Sequence, residues 1–336
     1  MLIFAKRNSM KKNDQEKILE TANAFRKSRI LLTAVDLNIF FCFFCKKLDK
    51  FWIVEKTQTD PDVLYRLLNA LCALDFLIKE KEEFMNTPIA EEFLVKGKPG
   101  YLSNLHHTNH LWCNWSELTN VIKKGKPSEN EKVEKRDRNW LEAFIEAMDR
   151  RGLKQAPLLA KNIDLTSIRT VLDVGGGSGV FSRAMIHEKP EIKATIFDLP
   201  DVIQITEEYI LQHGLKENMR TKSGNYRTDT LGTGYDLVLL SAIIHMNSDE
   251  ENLELIKKCY QALNKQGIII IQDFIMENNR IEPKNGAFFA INMLVGTEKG
   301  NTYTENEIAG WLTSAGFNDI ERIHTSYSPG IMKAKK

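Results

Sequence analysis

Short apolar runs separated by segments of helical spacing dominate the second half of the chain. Four runs are predicted to be buried strands: residues 171–174, 194–197, 237–240 and 268–271. The intervening segments are predicted to be helices: residues 180–188, 202–213 and 249–263, with a last helix at 304–316. Strands that alternate with helices are typical of an α/β fold with a parallel, doubly wound sheet. Two weaker strands, 319–324 and 330–332, are expected to form its antiparallel edge.

The first half of the chain has a different, mainly helical pattern. Residues 14–37 have an apolar stripe at helical spacing, whereas the apolar run that follows favours no single element. Asp60 and Pro61 are typical of the first residues of a helix, which continues to about residue 75. Two short strands around a charged turn (76–87) and a helix at 88–94 complete the outline of a winged helix.

The boundary between the two parts is placed near residue 155. Helical segments at 105–126 and 140–151 flank a charged stretch, 128–138, which is predicted to be a solvated loop. Pro157 and a turn-like segment then precede the first strand of the second part. The expected domains are residues 1–155 and residues 156–336.

Composition and charge exclude several classes of protein. The 336 residues are 43% hydrophobic and 27% charged, and the formal net charge is +1. Such a balance gives no reason to expect a nucleic-acid or membrane partner. The apolar run at 39–44 is too short to span a bilayer, and no signal peptide is recognised, so a cytoplasmic protein is expected. Five cysteines at irregular positions provide no disulfide framework, and no metal site is predicted.

A glycine-rich stretch, VLDVGGGSG at residues 171–179, carries the strongest chemical signal. A strand, a glycine turn and a helix N-terminus together form a cradle for nucleotide-like ligands. The glycines Gly175, Gly177 and Gly179 are spaced G-x-G-x-G, and Val180 stands where the dinucleotide fingerprint has its last glycine. Asp198 ends the next strand, where an acid accepts hydrogen bonds from ribose hydroxyls. This combination resembles motif I of the class I methyltransferases, which implies S-adenosylmethionine (SAM) rather than NAD as the ligand.

Several further stretches make the chain resemble the small-molecule O-methyltransferases typified by the caffeate and acetylserotonin enzymes and their bacterial relatives. The resemblance extends from about residue 17 to 333. It rests on these segments: DPDVLYRLLNALCALDFL, NTPIAEEFL, VLDVGGGSG, FDLPDVI, YDLVLLSAIIH, SDEEN and NTYTENEI followed by AGF. It implies an N-terminal winged-helix dimerisation domain, a C-terminal Rossmann-like class I methyltransferase domain that binds SAM, and a homodimer.

The resemblance also implies which residues bind the cofactor. The glycines should line the methionyl end of SAM, Asp198 should hold the ribose, and Leu199 and Tyr226 should lie against the adenine. Asn225 stands where the family usually has an acid for the adenine amino group, and Ser241 stands where plant members have a lysine. The full implied set is Asp173, Gly175, Gly177, Gly179, Asp198, Leu199, Gly224, Asn225, Tyr226 and Ser241.

His245 is the predicted general base, with Asp273 as the acid that orients it. His245 follows the strand at 237–240 on its carboxyl side, where open α/β sheets place their ligands. A phenol has a pKa of about 10, and an imidazole with a pKa of about 6.5 can take its proton as the oxygen is methylated. The chain departs from plant members at Met246 and Thr302, where they have acids.

The acceptor is expected to be a small, aromatic molecule with a hydroxyl group. Its predicted contacts are Trp112, Phe144, Met148, Phe289, Asn292 and Met293. The departures near His245 leave carbon or nitrogen methylation, or a SAM-binding protein without methyl transfer, as alternatives. A ligand-sensing winged-helix regulator is a further alternative, although the helix at 60–75 has three aspartates and only one arginine, Arg66.

Overall fold

A computed structural model describes residues 2–127, 138–324 and 329–336, with side chains from residue 13 onward except at position 139. Contacts within the chain divide it into two compact units, Met1–His110 and Leu111–Lys336. The boundary expected at residue 155 lies instead inside a helix of the second unit. Most of the predicted loop at 128–138 falls on residues 128–137, outside the described part. No helix in the described ranges is long and apolar enough to cross a membrane.

The first unit is mainly helical and contains a small antiparallel sheet. Its elements are α1 (Leu2–Asp36), α2 (Ile39–Cys42), β1 (Leu48–Asp49), α3 (Lys50–Thr57), α4 (Pro61–Ala73), β2 (Leu77–Glu80), β3 (Glu83–Asn86) and α5 (Pro88–Phe93). The strands are ordered β1-β3-β2. The helix, helix and hairpin predicted as a winged helix are therefore present.

Local sequence explains where these helices begin. The Asp60 carboxylate accepts hydrogen bonds from the backbone N–H groups of Asp62 and Val63, and Pro61 occupies the first helical position. The spacing of Leu64, Leu68 and Leu71 then places three buried side chains on one face of α4, where they join the core of this unit.

The second unit is built around a seven-stranded sheet. Helix α6 (Asn104–Ser116) contains the division between the units. The remaining elements are α7 (Leu118–Lys124), α8 (Arg138–Lys161), β4 (Thr170–Val174), α9 (Val180–Glu188), β5 (Lys193–Asp198), α10 (Pro200–Gln212), β6 (Met219–Ser223), β7 (Tyr235–Ser241), α11 (Asp249–Ala262), β8 (Leu263–Asp273), β9 (Ile275–Met276), α12 (Lys284–Gly296), β10 (Tyr303–Thr304), α13 (Glu305–Ala315), β11 (Asn318–Ile323) and β12 (Gly330–Lys335).

The order of the large sheet is β11-β12-β8-β7-β4-β5-β6. Strands β6, β5, β4, β7 and β8 are parallel, whereas β12 pairs antiparallel with both β8 and β11. The predicted doubly wound sheet with an antiparallel edge is confirmed. Alternate residues of β4 face opposite cores, because Leu172 packs among α11 and α13 and Val171 packs among α8, α9 and α10.

Strand β6 and the full extent of α8 differ from the sequence-based expectation. Strand β6 was not predicted, because only Met219 of its five residues is buried and its composition is mostly polar. It forms by pairing with β5 along the edge of the sheet. Helix α8 runs on through Pro157 to Lys161, rather than ending near residue 151.

Strand direction places the candidate site. Because β4, β5, β7 and β8 are parallel, their carboxyl ends lie at the same edge of the sheet. The glycine stretch follows β4, Asp198 ends β5, and Asp273 ends β8. A 3₁₀ turn, Ile244–Met246, follows β7 and carries His245.

Candidate active site

The glycine stretch forms a tight turn between β4 and α9. Gly175, Gly177 and Gly179 have φ angles of 66°, 55° and 72°, a region that L side chains rarely adopt. A Cβ atom on Gly175 would lie 2.2 Å from Ile243 Cδ1, and one on Gly179 would lie 2.6 Å from Met219 Cε. A Cβ atom on Gly177 would meet only Ile145 Cδ1, at 3.5 Å. A Cβ atom at Gly177 would therefore clash least with the rest of the protein among these three glycines.

Asp198 ties the end of β5 to the glycine turn. Its carboxylate accepts hydrogen bonds from the backbone N–H of Gly177 at 2.9 Å and from that of Leu199 at 2.8 Å. Burial raises the pKa of Asp198 to about 6, although these two hydrogen bonds favour the charged form. Each carboxylate oxygen has accepted one hydrogen bond, so each retains capacity for a further donor.

Asp173 lies beneath the turn as a buried acid. One oxygen accepts a hydrogen bond from the Ser182 hydroxyl at 2.8 Å, and the other has no hydrogen-bond partner among the described residues. Burial and the nearby charge of Asp198 raise the pKa of Asp173 to about 7. The structure therefore assigns Asp173 contacts within the protein, and its predicted contact with a cofactor stays a prediction.

The predicted adenine-binding residues follow β6. The backbone N–H of Gly224 donates to the Asp198 carbonyl oxygen at 2.9 Å, which holds this segment beside β5. The side-chain oxygen of Asn225 accepts from the backbone N–H of Arg227, and the Tyr226 hydroxyl donates to Asn247 Oδ1. Asn225 therefore uses one acceptor position within its own turn and retains a second.

Ser241, at the end of β7, donates its hydroxyl proton to Gln272 Oε1 at 2.9 Å. The two residues are aligned partners on neighbouring strands β7 and β8. The amide nitrogen of Gln272 is buried without a hydrogen-bond partner in the described part of the chain. Ser241 stands where the plant members of the family have a lysine, so the Ser241–Gln272 pair places no positive charge at this position.

His245 and Asp273 meet as predicted. His245 Nδ1 lies 2.9 Å from both carboxylate oxygens of Asp273. The backbone N–H of His245 and that of Phe274 also point to the same carboxylate, at 3.4 and 2.8 Å. His245 is 9% exposed and Asp273 is 3% exposed, so this pair is largely shielded from solvent.

Two phenylalanine rings adjoin this pair. The Phe289 ring meets the His245 imidazole edge to face, with centroids 4.9 Å apart and an interplanar angle of 86°. The centroids of the Phe274 and Phe289 rings are 4.3 Å apart, and both rings are half-buried. Phe289 was predicted as an acceptor contact, whereas Phe274 was missed, although it directly follows Asp273.

Of the six predicted acceptor residues, Phe289 contacts the His245 imidazole, and an acceptor contact of the other five stays a prediction. Asn292 Oδ1 accepts a hydrogen bond from the Trp115 indole N–H at 3.0 Å. Phe144 stacks on Trp140 and packs against the same apolar cluster as Leu199, the residue after Asp198. The others lie as follows: Met293 is buried, and Trp112 and Met148 are half-buried.

A buried ion pair that sequence reasoning missed joins α8 to the glycine turn. Asp149 Oδ1 accepts hydrogen bonds from the Ser178 hydroxyl and from Arg183 Nη2, both at 2.6 Å. Arg183 also donates to the Ser178 carbonyl oxygen. All three residues are buried, so this network fixes α8 against the segment that precedes α9. No local pattern in the sequence connects these positions.

Two known sequence profiles match this chain. Residues 115–318 match the sequence profile of the O-methyltransferase domain, and residues 19–96 match that of the O-methyltransferase dimerisation domain. The chain belongs to the O-methyltransferase family. It is accordingly an enzyme of the SAM-dependent O-methyltransferase type, as the resemblance of its motifs predicted.

Individual relatives of this O-methyltransferase act on different acceptors. It is 27% identical to the 3-hydroxy-5-methyl-1-naphthoate 3-O-methyltransferase of Streptomyces sahachiroi, over 93% of this chain and 92% of that protein. It is 32% identical to an L-tyrosine C(3)-methyltransferase of Streptomyces lavendulae, over 48% of this chain and 44% of that protein. The fold matches human N-acetylserotonin methyltransferase in complex with SAM, with a TM-score of 0.84, 21% identity and coverage of 96% and 97%.

A metal ion has no evident place in the described part of this O-methyltransferase. Within residues 2–127, 138–324 and 329–336, no group of three or more His, Cys, Asp or Glu side chains is arranged to hold one.

Proposed function

We propose that this enzyme transfers the methyl group of SAM to the hydroxyl of a small aromatic acceptor, with His245 as the general base. One observation carries the proposal: both oxygens of Asp273 lie 2.9 Å from His245 Nδ1. A carboxylate accepts hydrogen bonds, so this contact requires Nδ1 to carry the proton. Nε2 of the neutral imidazole is then the unprotonated nitrogen, available to accept a proton.

The residues at the edge of the sheet fit SAM as the cofactor. Gly177 presents backbone that a Cβ atom would cover, and Asp198 retains acceptor capacity for ribose hydroxyls. Leu199 follows Asp198 at the start of α10, and Asn225 retains one acceptor position for an amino group. These residues, together with Gly175 and the backbone around it, would hold the cofactor.

Proton removal is the chemistry that the protein itself contributes. When bound, SAM supplies a methyl group activated by its sulfonium charge. His245 accepts the hydroxyl proton at Nε2 as the acceptor oxygen becomes a nucleophile. Asp273 then stabilises the imidazolium and keeps the ring in one orientation. This division of roles resembles that of other histidine bases that an acid orients, in which the acid is not itself protonated.

Phe289 and Phe274 suit a flat aromatic acceptor. Both rings are half-buried, Phe289 contacts the imidazole and Phe274 contacts Phe289, so an acceptor ring on them would place its hydroxyl near His245. The relatives whose names specify a hydroxynaphthoate and N-acetylserotonin support an aromatic hydroxyl as the group that is methylated.

We also propose that the chain forms a homodimer through residues within 1–155. The match of residues 19–96 to the dimerisation domain supports this assembly. Large apolar side chains are also exposed in the first unit, among them Ile18, Leu19, Phe25, Phe41, Phe44 and Phe51. Exposed apolar side chains of this size become buried when they lie in an association surface. Sedimentation equilibrium should give twice the chain mass, and a monomer at micromolar concentration would contradict the proposal.

The function can be tested in two stages with the purified protein. Calorimetric titration should show that SAM and S-adenosylhomocysteine bind, and that Asp198→Ala weakens both. Incubation with SAM and a panel of phenols and naphthols should then give a methylated product, and NMR should locate the methyl group on oxygen. His245→Gln should abolish most turnover, whereas His187→Gln, an exposed histidine on α9, should not. Methylation of a ring carbon would contradict transfer to a hydroxyl and would make the reaction resemble that of the tyrosine C(3)-methyltransferase.

A further inference from the structure

Arg151 differs from the other arginines of α8. Arg138 pairs with Glu142, and Arg150 pairs with Glu146. Arg151, one residue further on, has no hydrogen bond or ion pair with any residue that the structure describes. Its guanidinium carbon instead lies 5.5 Å from the centroid of the Phe274 ring.

Arg151 has an exposed side chain whose guanidinium is partly desolvated by the protein around it. Arg151 is accessible to water, yet the protein around the guanidinium lowers its pKa from the usual value, while the charge of Asp273 opposes this shift. The group nevertheless stays charged at any physiological pH, because an arginine side chain does not lose its proton in proteins. A partly desolvated cation without a carboxylate partner is a binding position for an anion.

Arg151 is connected to the proposed base by a short series of aromatic contacts. Its guanidinium covers Phe274, Phe274 adjoins Phe289, and Phe289 meets the His245 imidazole. An aromatic ring bound against these phenylalanines would therefore have His245 on one side and Arg151 on the other. The planar guanidinium matches a carboxylate with two parallel hydrogen bonds, and this geometry is specific as well as strong.

We propose that Arg151 binds a carboxylate of the acceptor, so that the substrates of this enzyme are aromatic hydroxy acids. This inference rests on the proposed function, because it places the acceptor ring between Arg151 and His245. The amino-acid carboxylate of SAM has the same chemistry, but Arg151 lies over Phe274, which contacts the Phe289 ring beside the base. Among the described residues, no contact joins Arg151 to the glycine turn or to Asp198, which would hold the cofactor.

The test measures binding and turnover separately. Wild type, Arg151→Met and Arg151→Lys are saturated with S-adenosylhomocysteine and titrated with 6-hydroxy-2-naphthoate and 3-hydroxybenzoate, and with the methyl ester of each acid. The matched control is Arg150→Met, which removes a charge from the neighbouring position on the same helix. The dissociation constant of S-adenosylhomocysteine is measured for every variant, and 2-naphthol serves as a neutral acceptor in the turnover assay.

Wild type and Arg150→Met are expected to bind at least one acid about tenfold or more tightly than its ester. Arg151→Met should remove this preference by weakening the acid and sparing the ester, and Arg151→Lys should restore part of it. Equal affinity for acid and ester in wild type, or a preference that survives Arg151→Met, would overturn the proposal. So would a loss of S-adenosylhomocysteine affinity in Arg151→Met, because the cofactor carboxylate would then be the partner.

The outcomes also separate this proposal from the function on which it rests. Methylation of 2-naphthol with no binding of either acid would refute the acid-acceptor class and leave methyl transfer to hydroxyls intact. Failure to bind SAM, or to methylate any acceptor in the wider panel, would refute both.

Discussion

Two parts of the same sheet edge are built in different ways. The side proposed to bind the cofactor, around the glycine turn and Asp198, consists largely of backbone, and the Asp198 carboxylate accepts hydrogen bonds from two of its N–H groups. The acceptor side, around His245, consists of side chains from α8, β8, the segment after β7 and α12. A ligand common to a whole family can be held by backbone geometry, whereas an acceptor that varies between relatives is recognised by exchangeable side chains.

The largest expected effect is the loss of turnover when the proposed base, His245, is replaced. His245→Gln should lower kcat by about 10²- to 10⁴-fold with an ordinary phenol, because general-base catalysis is lost. The dissociation constant of S-adenosylhomocysteine should stay unchanged, since no predicted cofactor residue contacts the imidazole. Steady-state kinetics and calorimetry measure the two quantities. A parallel loss of cofactor affinity would mean that the two sides are not independent.

The next largest expected effect is on stability, and it comes from the buried ion pair between Asp149 on α8 and Arg183 on α9. Asp149→Ala should lower the free energy of unfolding by about 3 kcal/mol, because it leaves Arg183 buried without its carboxylate. Glu146→Ala is the control, since it breaks the more exposed pair with Arg150 and should cost less than about 1 kcal/mol. Urea denaturation of both variants measures the difference, and equal costs would remove Asp149 from its structural role.

Gly177→Ala sharpens the claim that the cofactor side is recognised through backbone. Gly214 has a φ of 66° and no atom within 4 Å of an added Cβ, so Gly214→Ala reports backbone strain alone. Both variants should lose about 1 kcal/mol of stability. Only Gly177→Ala should also weaken S-adenosylhomocysteine, by tenfold or more. Unaltered affinity in Gly177→Ala would show that the ligand does not approach this glycine.

The smallest expected effect is a pH dependence confined to the cofactor side. The pKa of Asp198 is raised to about 6, so lowering the pH through that value protonates the carboxylate and removes an acceptor. Affinity for S-adenosylhomocysteine should therefore be full above pH 7 and fall by up to about tenfold toward pH 5. Asp198→Asn, which does not titrate there, should bind weakly and without this pH dependence. A wild-type affinity that is constant over this range would contradict the assigned role.

The sequence predicted the positions of the glycine turn, of Asp198 and of the His245–Asp273 pair. The glycine turn and α9 lie within one short stretch, and Asp198 directly ends a strand, so local pattern was sufficient to predict them. His245 and Asp273 each follow a recognisable strand, and parallel strands bring such positions together. The capping boxes at Ser248 and Thr304 were equally local, and the helices they start were predicted.

The remaining features depend on tertiary contacts that no periodicity encodes. Strand β6 is polar and becomes a strand only because β5 offers it an edge. Arg151 and Phe274 are far apart in the chain and meet only in the folded unit. Phe144 packs on the same apolar cluster as Leu199, a contact between α8 and α10 that its apolar character alone does not predict.

The central claim is that His245 removes the acceptor proton, and a series of acceptors with graded acidity tests it most directly. Methyl transfer by wild type and His245→Gln is measured with 2-naphthol and with chloro- and nitro-substituted naphthols of increasing acidity. An acceptor that is already ionised needs no base, so the deficit of His245→Gln should shrink steadily and nearly vanish for the nitronaphthols. A deficit of the same size for every acceptor, or none for 2-naphthol, would show that His245 does not take the proton.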